Sequence, residues 1–249
     1  MAGNSNSTLA VQERDLRLFE ALETMRVINR EQAKIAAGFH STTRANARLL
    51  ALTKAGFLKR AFHGSREAVY WLTSNPQYRG GHKELTPREP QSLFLRHRLE
   101  INEVYLLLKF CAIPMRGWWF VRWECFQKNL APSVPLIPDG YFELRSATGV
   151  RACFVEVDLG TEALPVIQKK VRLYLHLATS GEFQALFHQP QFRVLIVANS
   201  ERRLQNLRAA IAKLTDRIFW LSTLDSIHRE RFWAPVWLRP IGEQRQSLL

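Results

Sequence analysis

Apolar positions in the first part of the chain follow a helical period and then a strand period. Three segments with apolar residues at helical spacing precede two strand-like runs, and together they cover residues 12–25, 30–37, 42–55, 57–62 and 67–73. Asn29 and Ser41 stand where N-caps of the second and third helices are expected, and Gly38 and Gly56 stand where those helices end. Three helices followed by a hairpin predict a winged helix-turn-helix domain over residues 10–76.

A polar segment at residues 77–91 contains Gly80, Gly81, Pro87 and Pro90 and shows no apolar period, which predicts a linker. Helical and strand-like segments then occur in the order α-β-β-β-α-β-α-β, over residues 92–111, 118–126, 140–144, 151–159, 163–179, 192–198, 201–214 and 218–224. This order predicts an α/β domain with a mixed sheet between helices over residues 92–240. The predicted fold class of the whole chain is therefore α+β.

The charge balance indicates the kind of partner. The 249-residue chain has a formal net charge of +13 and a pI near 10.2. Such a balance favours a polyanion, with nucleic acid first and an anionic membrane surface second. No apolar run approaches the roughly 20 residues that span a bilayer, and the start lacks the pattern of a signal peptide. We therefore expect a cytoplasmic protein with double-stranded DNA as its partner and no membrane contact.

The third predicted helix would be the recognition helix, because the corresponding helix of a helix-turn-helix enters the major groove. Arg44 and Arg48 are one turn apart and are expected to project from the same side. The candidate DNA-binding residues of this domain are Arg30, Thr42, Thr43, Arg44, Asn46, Arg48, Lys59, Arg60 and Arg66. The alternatives left open are a solvated basic face and a protein-docking module.

Carboxylates cluster at two places in the second domain. Asp139 lies in the sequence Pro138-Asp139-Gly140, and Glu156 and Asp158 lie in the strand-like run 152–160. Because strand residues alternate between faces, Glu156 and Asp158 are expected to share a face with Phe154. Buried ionised carboxylates need cations, hydrogen-bond donors or a metal, whereas on a half-exposed strand they would be solvated.

The element order, with acids on the second and third strands of the domain, resembles the PD-(D/E)xK core of restriction-endonuclease-like proteins. The sequence motifs narrow the resemblance: they are Pro-Asp-Gly at 138–140, Glu-Val-Asp-Leu-Gly-Thr-Glu at 156–162, and Lys170 with Tyr174 one turn later. Over residues 10–225 the chain is similar to the replication-relaxation family of mobile-element proteins. The resemblance implies a winged helix before a nuclease-like core, and a role in plasmid or integrative-element replication, relaxation or transfer control.

The resemblance also implies roles for particular residues. Asp139 and Glu156 match the two acids that bind Mg²⁺ in a working PD-(D/E)xK enzyme. Asp158 stands where that enzyme has its lysine, so it becomes a third candidate metal ligand. Lys170, which shares a helix face with Tyr174, is the candidate for a displaced catalytic lysine. The catalytic candidates are thus Asp139, Glu156, Asp158 and Lys170.

Two functions remain open at this stage. The first is a DNA-binding protein whose nuclease-like core is degenerate and serves dimerisation or the docking of replication or transfer proteins. The second is a Mg²⁺-dependent endonuclease or nickase that uses Asp139, Glu156 and the displaced lysine. Asp158 favours the first, because an acid in place of the lysine removes the cation that steadies an attacking hydroxide.

Overall fold

The computed structural model describes residues 9–63, 67–73, 92–229 and 231–249. The chain divides into two compact units, Met1–Leu106 and Leu107–Leu249. The elements in chain order are α1 (Glu13–Met25), β1 (Ile28–Asn29), α2 (Arg30–Ala37), α3 (Thr42–Lys54), β2 (Leu58–His63), β3 (Glu67–Leu72), α4 (Ser92–Phe110), β4 (Trp119–Glu124), β5 (Gly140–Ser146), β6 (Gly149–Asp158), α5 (Leu164–Thr179), α6 (Glu182–Phe187), β7 (Phe192–Ala198), α7 (Glu201–Ala212), β8 (Phe219–Thr223) and α8 (Leu224–Arg229). Among the described residues, no helix is long and apolar enough to cross a membrane.

The first unit contains α1, α2 and α3, together with an antiparallel sheet in the order β1-β3-β2. The predicted caps are confirmed. Asn29 accepts a hydrogen bond from the Gln32 backbone N–H at 2.8 Å, and Gly38 ends α2 with a φ of 68°. Ser41 caps α3 through the Arg44 backbone N–H. The loop between β2 and β3, which includes Arg66, lies outside the described residues.

Most of helix α4 belongs to the first unit. Its side chains join an apolar cluster made of Val27, Val69, Trp71, Leu95 and Leu99. Asn102 also donates a hydrogen bond to the Val27 carbonyl at 2.6 Å. The division between the units thus falls inside α4, at Leu106, whereas the sequence predicts a second domain that begins at residue 92. The predicted linker at 77–91 lies outside the described residues.

The second unit is built on a five-stranded sheet in the order β4-β5-β6-β7-β8. Strands β4, β5 and β6 are antiparallel, and β6, β7 and β8 are parallel. The predicted mixed sheet with helices, and hence the α+β class, is confirmed. The sequence pattern missed β1, α6 and α8, because a strand of two residues and helices of six residues are too short to show their periods.

Strand β6 is buried on both faces, because it lies in the middle of the sheet. Phe154 belongs to the main core, where its ring lies 5.4 Å from the ring of Tyr174 on α5. Glu156 and Asp158 are each only 7% exposed. The alternative of a half-exposed strand with solvated acids is therefore wrong.

Candidate functional site

The Pro-Asp-Gly motif joins the start of β5 to the end of β6. The Asp139 Oδ2 atom accepts a hydrogen bond from the Val157 backbone N–H at 2.8 Å. Gly140 lies under the indole of Trp123, and a Cβ atom at this position would be 2.3 Å from the Trp123 ring. The motif therefore holds a carboxylate against β6 and leaves space for an aromatic ring.

Glu156 is bound by two side chains of α5. Its Oε1 accepts from the Tyr174 hydroxyl at 2.5 Å, and its Oε2 accepts from Lys170 Nζ at 3.1 Å. Lys170 also pairs with Glu162 at 3.0 Å. The structure thus places Lys170 and Tyr174 over Glu156, as the i, i+4 spacing predicts. The catalytic role of Lys170 stays a prediction.

Burial controls the protonation of this cluster. Burial first, and the nearby charge of Asp139 second, raise the pKa of Glu156 to about 7, against the opposing effect of Lys170. Burial alone would lower the pKa of Lys170, but the charges of Glu156 and Glu162 outweigh it and raise the pKa. Burial and Glu156 together raise the pKa of Tyr174. Tyr174 therefore keeps its proton, which does not suit a nucleophile.

Asp158 has a separate partner, Arg203 on α7. Arg203 Nε donates to Oδ1 and Nη2 donates to Oδ2, each at 2.8 Å. The Gly160 backbone N–H donates to Oδ1 at 2.7 Å, from a residue with a φ of 82° that favours glycine. The sequence Glu-Val-Asp-Leu-Gly therefore contains an acid and the glycine that binds it.

Sequence reasoning missed Arg203, although two signals pointed to it. Because β6 and β7 are parallel neighbours, their carboxyl ends meet at one edge of the sheet, and α7 begins directly after β7. In addition, Arg203 lies in the first turn of a helix, where the macrodipole disfavours a cation unless an anion is close. That anion is Asp158.

The residues fit a metal only in part. Within the described part of the chain, no group of three or more His, Cys, Asp or Glu side chains is placed to hold a metal ion. Asp139 and Glu156 interact, and each oxygen of Glu156 has its own donor, whereas one guanidinium, that of Arg203, binds both oxygens of Asp158. A third ligand at Asp158 does not fit this geometry. Metal binding by Asp139 and Glu156 stays a prediction, since Mg²⁺ is often held by one or two carboxylates with water and phosphate.

The predicted recognition helix, α3, presents some of its candidate residues to solvent. Thr43 and Arg44 are exposed, and Asn46 is half-buried. Thr42 is half-buried, and its hydroxyl accepts a hydrogen bond from Lys34 Nζ at 3.1 Å. Thr43 and Arg44 are therefore the candidates on α3 with exposed side chains.

Arg48 has a different environment from Arg44. Its guanidinium donates to both carboxylate oxygens of Asp15 on α1, a residue with no exposed side-chain surface, and to the Ala10 carbonyl. The Arg48 pKa is raised, chiefly by the hydrogen bond to Asp15. Arg48 thus links α3 to α1, and this geometry does not support its predicted contact with DNA.

The remaining basic candidates lie on α2 and β2. Arg30 pairs with Glu31 at 2.9 Å, Lys59 is exposed, and Arg60 stacks on the Phe62 ring with 4.5 Å to the centroid. Arg30 and Arg60 line a cavity of about 280 Å³, whose wall also includes Asn46 of α3. The structure therefore brings α2, α3 and the hairpin strands together around one groove.

The chain matches the replication-relaxation family over residues 8–188. This segment covers more than half of the chain and includes Asp139, Glu156, Asp158, Lys170 and Tyr174. The chain therefore belongs to the replication-relaxation family, as the sequence motifs indicated. No curated protein and no solved structure matches the chain.

Proposed function

We propose that this chain is a DNA-binding protein of a plasmid or other mobile element, acting in replication, relaxation or transfer control. The observation that carries the proposal is the position of Thr43 and Arg44. Both are exposed at the start of α3, in a unit that contains α1, α2 and α3 together with a β1-β3-β2 sheet. Side chains at the start of a recognition helix are those that contact base edges.

The element order of the first unit supports the assignment as a winged helix-turn-helix. Helices α2 and α3 are joined by a short turn at residues 38–41, and β2 and β3 follow α3 as an antiparallel pair. In this interpretation α3 enters the major groove and the β2–β3 hairpin is the wing.

Electrostatics support the same partner. The chain has 35 Lys and Arg residues against 22 Asp and Glu residues. Several of the acids are engaged inside the protein, for example Asp15 by Arg48 and Asp158 by Arg203. The net excess of +13 therefore leaves many cations for a polyanion.

We place the second unit as a PD-(D/E)xK-like core that is degenerate. Two of its acids are paired with protein cations, Glu156 with Lys170 and Asp158 with Arg203. A core of this kind can serve as a platform for a second copy of the chain or for replication or transfer proteins. We place the protein in the cytoplasm with its DNA.

The affinity of an Arg44→Ala variant for duplex DNA tests the proposal. Arg17→Ala is the matched control, because Arg17 is an exposed arginine of the same unit on α1. We expect Arg44→Ala to weaken binding by about 1–3 kcal/mol if Arg44 contacts a base edge. The control should change it far less. Equal affinities of the two variants would remove α3 from the proposal.

A second candidate function is a Mg²⁺-dependent endonuclease or nickase. The observation that favours it is the proximity of Lys170 and Asp139 to Glu156. Asp139 and Glu156 would hold the ion, which supplies Lewis-acid chemistry at a phosphate. Lys170 would place a positive charge beside them.

A titration with Mn²⁺, followed by calorimetry, separates the two candidates without relying on activity. Saturable binding by the wild type that is lost in Asp139→Asn would favour the nuclease. Absence of binding by the wild type would favour the degenerate core.

A further inference from the structure

Two arginines of the second unit converge on one point of the chain. Arg151 on β6 and Arg193 on β7 both donate a hydrogen bond from Nη1 to the Leu248 carbonyl oxygen, and the Arg193 bond is 2.8 Å long. Arg193 is paired in register with Cys153, which lies two residues after Arg151 on β6. The side chains of Arg151 and Arg193 therefore lie on the same face of the sheet. By alternation, this is the face opposite to Glu156.

These two arginines have no carboxylate partner among the described residues. Three other partly buried arginines do, since Arg48, Arg122 and Arg203 each pair with an Asp or Glu at 2.8 Å or less. Arg151 and Arg193 each lie over the face of an indole ring instead. Arg151 lies 4.7 Å from the Trp118 ring centroid, and Arg193 lies 4.7 Å from that of Trp220.

The two positive charges also affect one another. Burial lowers the pKa of Arg193, and the charge of Arg151 lowers it further. One carbonyl oxygen accepts one N–H from each guanidinium, out of the five N–H groups that each carries. Within the part of the chain that the structure describes, the local charge is therefore left without an anion to balance it.

A pocket of about 260 Å³ opens beside these arginines. Its lining includes Arg151, Arg193, Ser146, Thr148 and Gln191, and it contains no Asp or Glu among the described residues. Guanidinium, hydroxyl and amide groups are the donors that proteins use to bind phosphate oxygens.

We propose that this pocket binds a phosphate group. The phosphate would accept hydrogen bonds from the N–H groups of Arg151 and Arg193 and balance their charge. Two sources share this chemistry, a free phosphate compound and the backbone of a nucleic acid. Only the second source rests on the proposed function in DNA binding.

Thr148 offers a substitution that blocks the pocket without touching the hydrogen bonds to Leu248. Thr148 is exposed in the turn between β5 and β6, where its hydroxyl lies 2.9 Å from the Ser146 hydroxyl. Thr148→Asp adds a carboxylate that competes with phosphate for the arginines. Thr148→Asn is the matched control, because asparagine has the shape of aspartate but no charge. Arg151→Gln is a second test, because Arg193 still holds the Leu248 carbonyl.

The test is calorimetric titration of the full chain with inorganic pyrophosphate. We expect the wild type and Thr148→Asn to bind, and we expect Thr148→Asp and Arg151→Gln to bind at least about tenfold more weakly, equivalent to about 1.4 kcal/mol. Absence of binding by the wild type would overturn the proposal. Equal binding by Thr148→Asp and Thr148→Asn would overturn it as well.

The same variants identify the source of the phosphate. If Arg151→Gln also weakens the binding of duplex DNA and reduces its salt dependence, the pocket takes a backbone phosphate. If DNA binding is unchanged while pyrophosphate binding is lost, the pocket takes a free phosphate compound. Failure of the DNA-binding proposal would instead show in Arg44→Ala, which leaves this pocket intact.

Discussion

Arg203 holds Asp158 with two parallel hydrogen bonds, from Nε to Oδ1 and from Nη2 to Oδ2, both 2.8 Å long. In the proposed PD-(D/E)xK-like core, Asp158 stands where a working enzyme would carry its lysine. In this chain that position therefore contains an ion pair, whose cation comes from α7. Arg203 also holds the segment that follows β6, because its Nη2 donates to the Glu162 carbonyl at 2.6 Å.

We predict that Arg203→Ala lowers the free energy of unfolding by about 3–5 kcal/mol, because it leaves a buried carboxylate without its cation. Urea unfolding measures the change. Arg202→Ala is the control, since Arg202 is exposed at the neighbouring position and its loss should cost no more than about 0.5 kcal/mol. Equal costs for the two variants would show that the Arg203 pair contributes nothing to stability.

Glu156 should make the stability of the protein depend on pH. Its pKa is about 7 in the folded protein against 4.5 for an unperturbed side chain, so the folded state binds more protons between these values. This contribution to stability is therefore complete below pH 4.5 and is lost as the pH rises towards 7. The loss is on the order of 1 kcal/mol per pH unit.

The variant Glu156→Gln tests this prediction, because glutamine has the same shape and keeps one of the two acceptor oxygens but does not titrate. The difference in free energy of unfolding between wild type and variant should decline as the pH rises across this window. A difference that stays constant, or one that grows with pH, would contradict the assignment.

Substitutions of Arg48 and Arg44 should affect different properties, since Arg48 supports the stability of the fold and Arg44 is proposed to contact DNA. Arg48→Ala leaves the buried Asp15 unpaired, so we expect a loss of about 3–5 kcal/mol in the free energy of unfolding. Arg44→Ala should cost at most about 0.5 kcal/mol, because Arg44 is exposed. Thermal or urea unfolding of both variants checks the expectation, and an Arg48→Ala protein as stable as Arg44→Ala would overturn it.

Gly140→Ala should destabilise the second unit by about 1–3 kcal/mol, because the added methyl group collides with the indole of Trp123. The double variant Trp123→Leu/Gly140→Ala provides the comparison. If the collision is the cause, the double variant loses less stability than the sum of the two single variants. Strict additivity would point to another reason for the glycine.

Local sequence signals were sufficient to predict much of the fold. The caps at Asn29 and Ser41 and the glycine at Gly38 define α2 and α3 because capping depends on residues three or four apart. The alternation along β6 likewise placed Glu156 and Asp158 on the face of Phe154. These features depend on near neighbours in sequence, so the sequence contains them.

Partners distant in sequence could not be predicted in the same way. The helical spacing of Arg44 and Arg48 says that they share a side, but it does not show that Asp15 meets Arg48. The ion pair of Asp158 with Arg203 depends on the parallel pairing of β6 and β7. Apolar periodicity also could not show that α4 packs on Val27 and Trp71.

The central proposal is a DNA-binding protein whose nuclease-like core is degenerate. Its most direct test is incubation of the wild-type protein with supercoiled plasmid in Mg²⁺, with retardation and cleavage of the plasmid both read from one gel. We predict that the plasmid is retarded, in a manner that weakens with added salt, and that it remains supercoiled after the protein is removed. Plasmid that is not retarded at low salt would contradict DNA binding. Nicking that disappears in the Asp139→Asn variant would contradict the degenerate core and establish a nuclease.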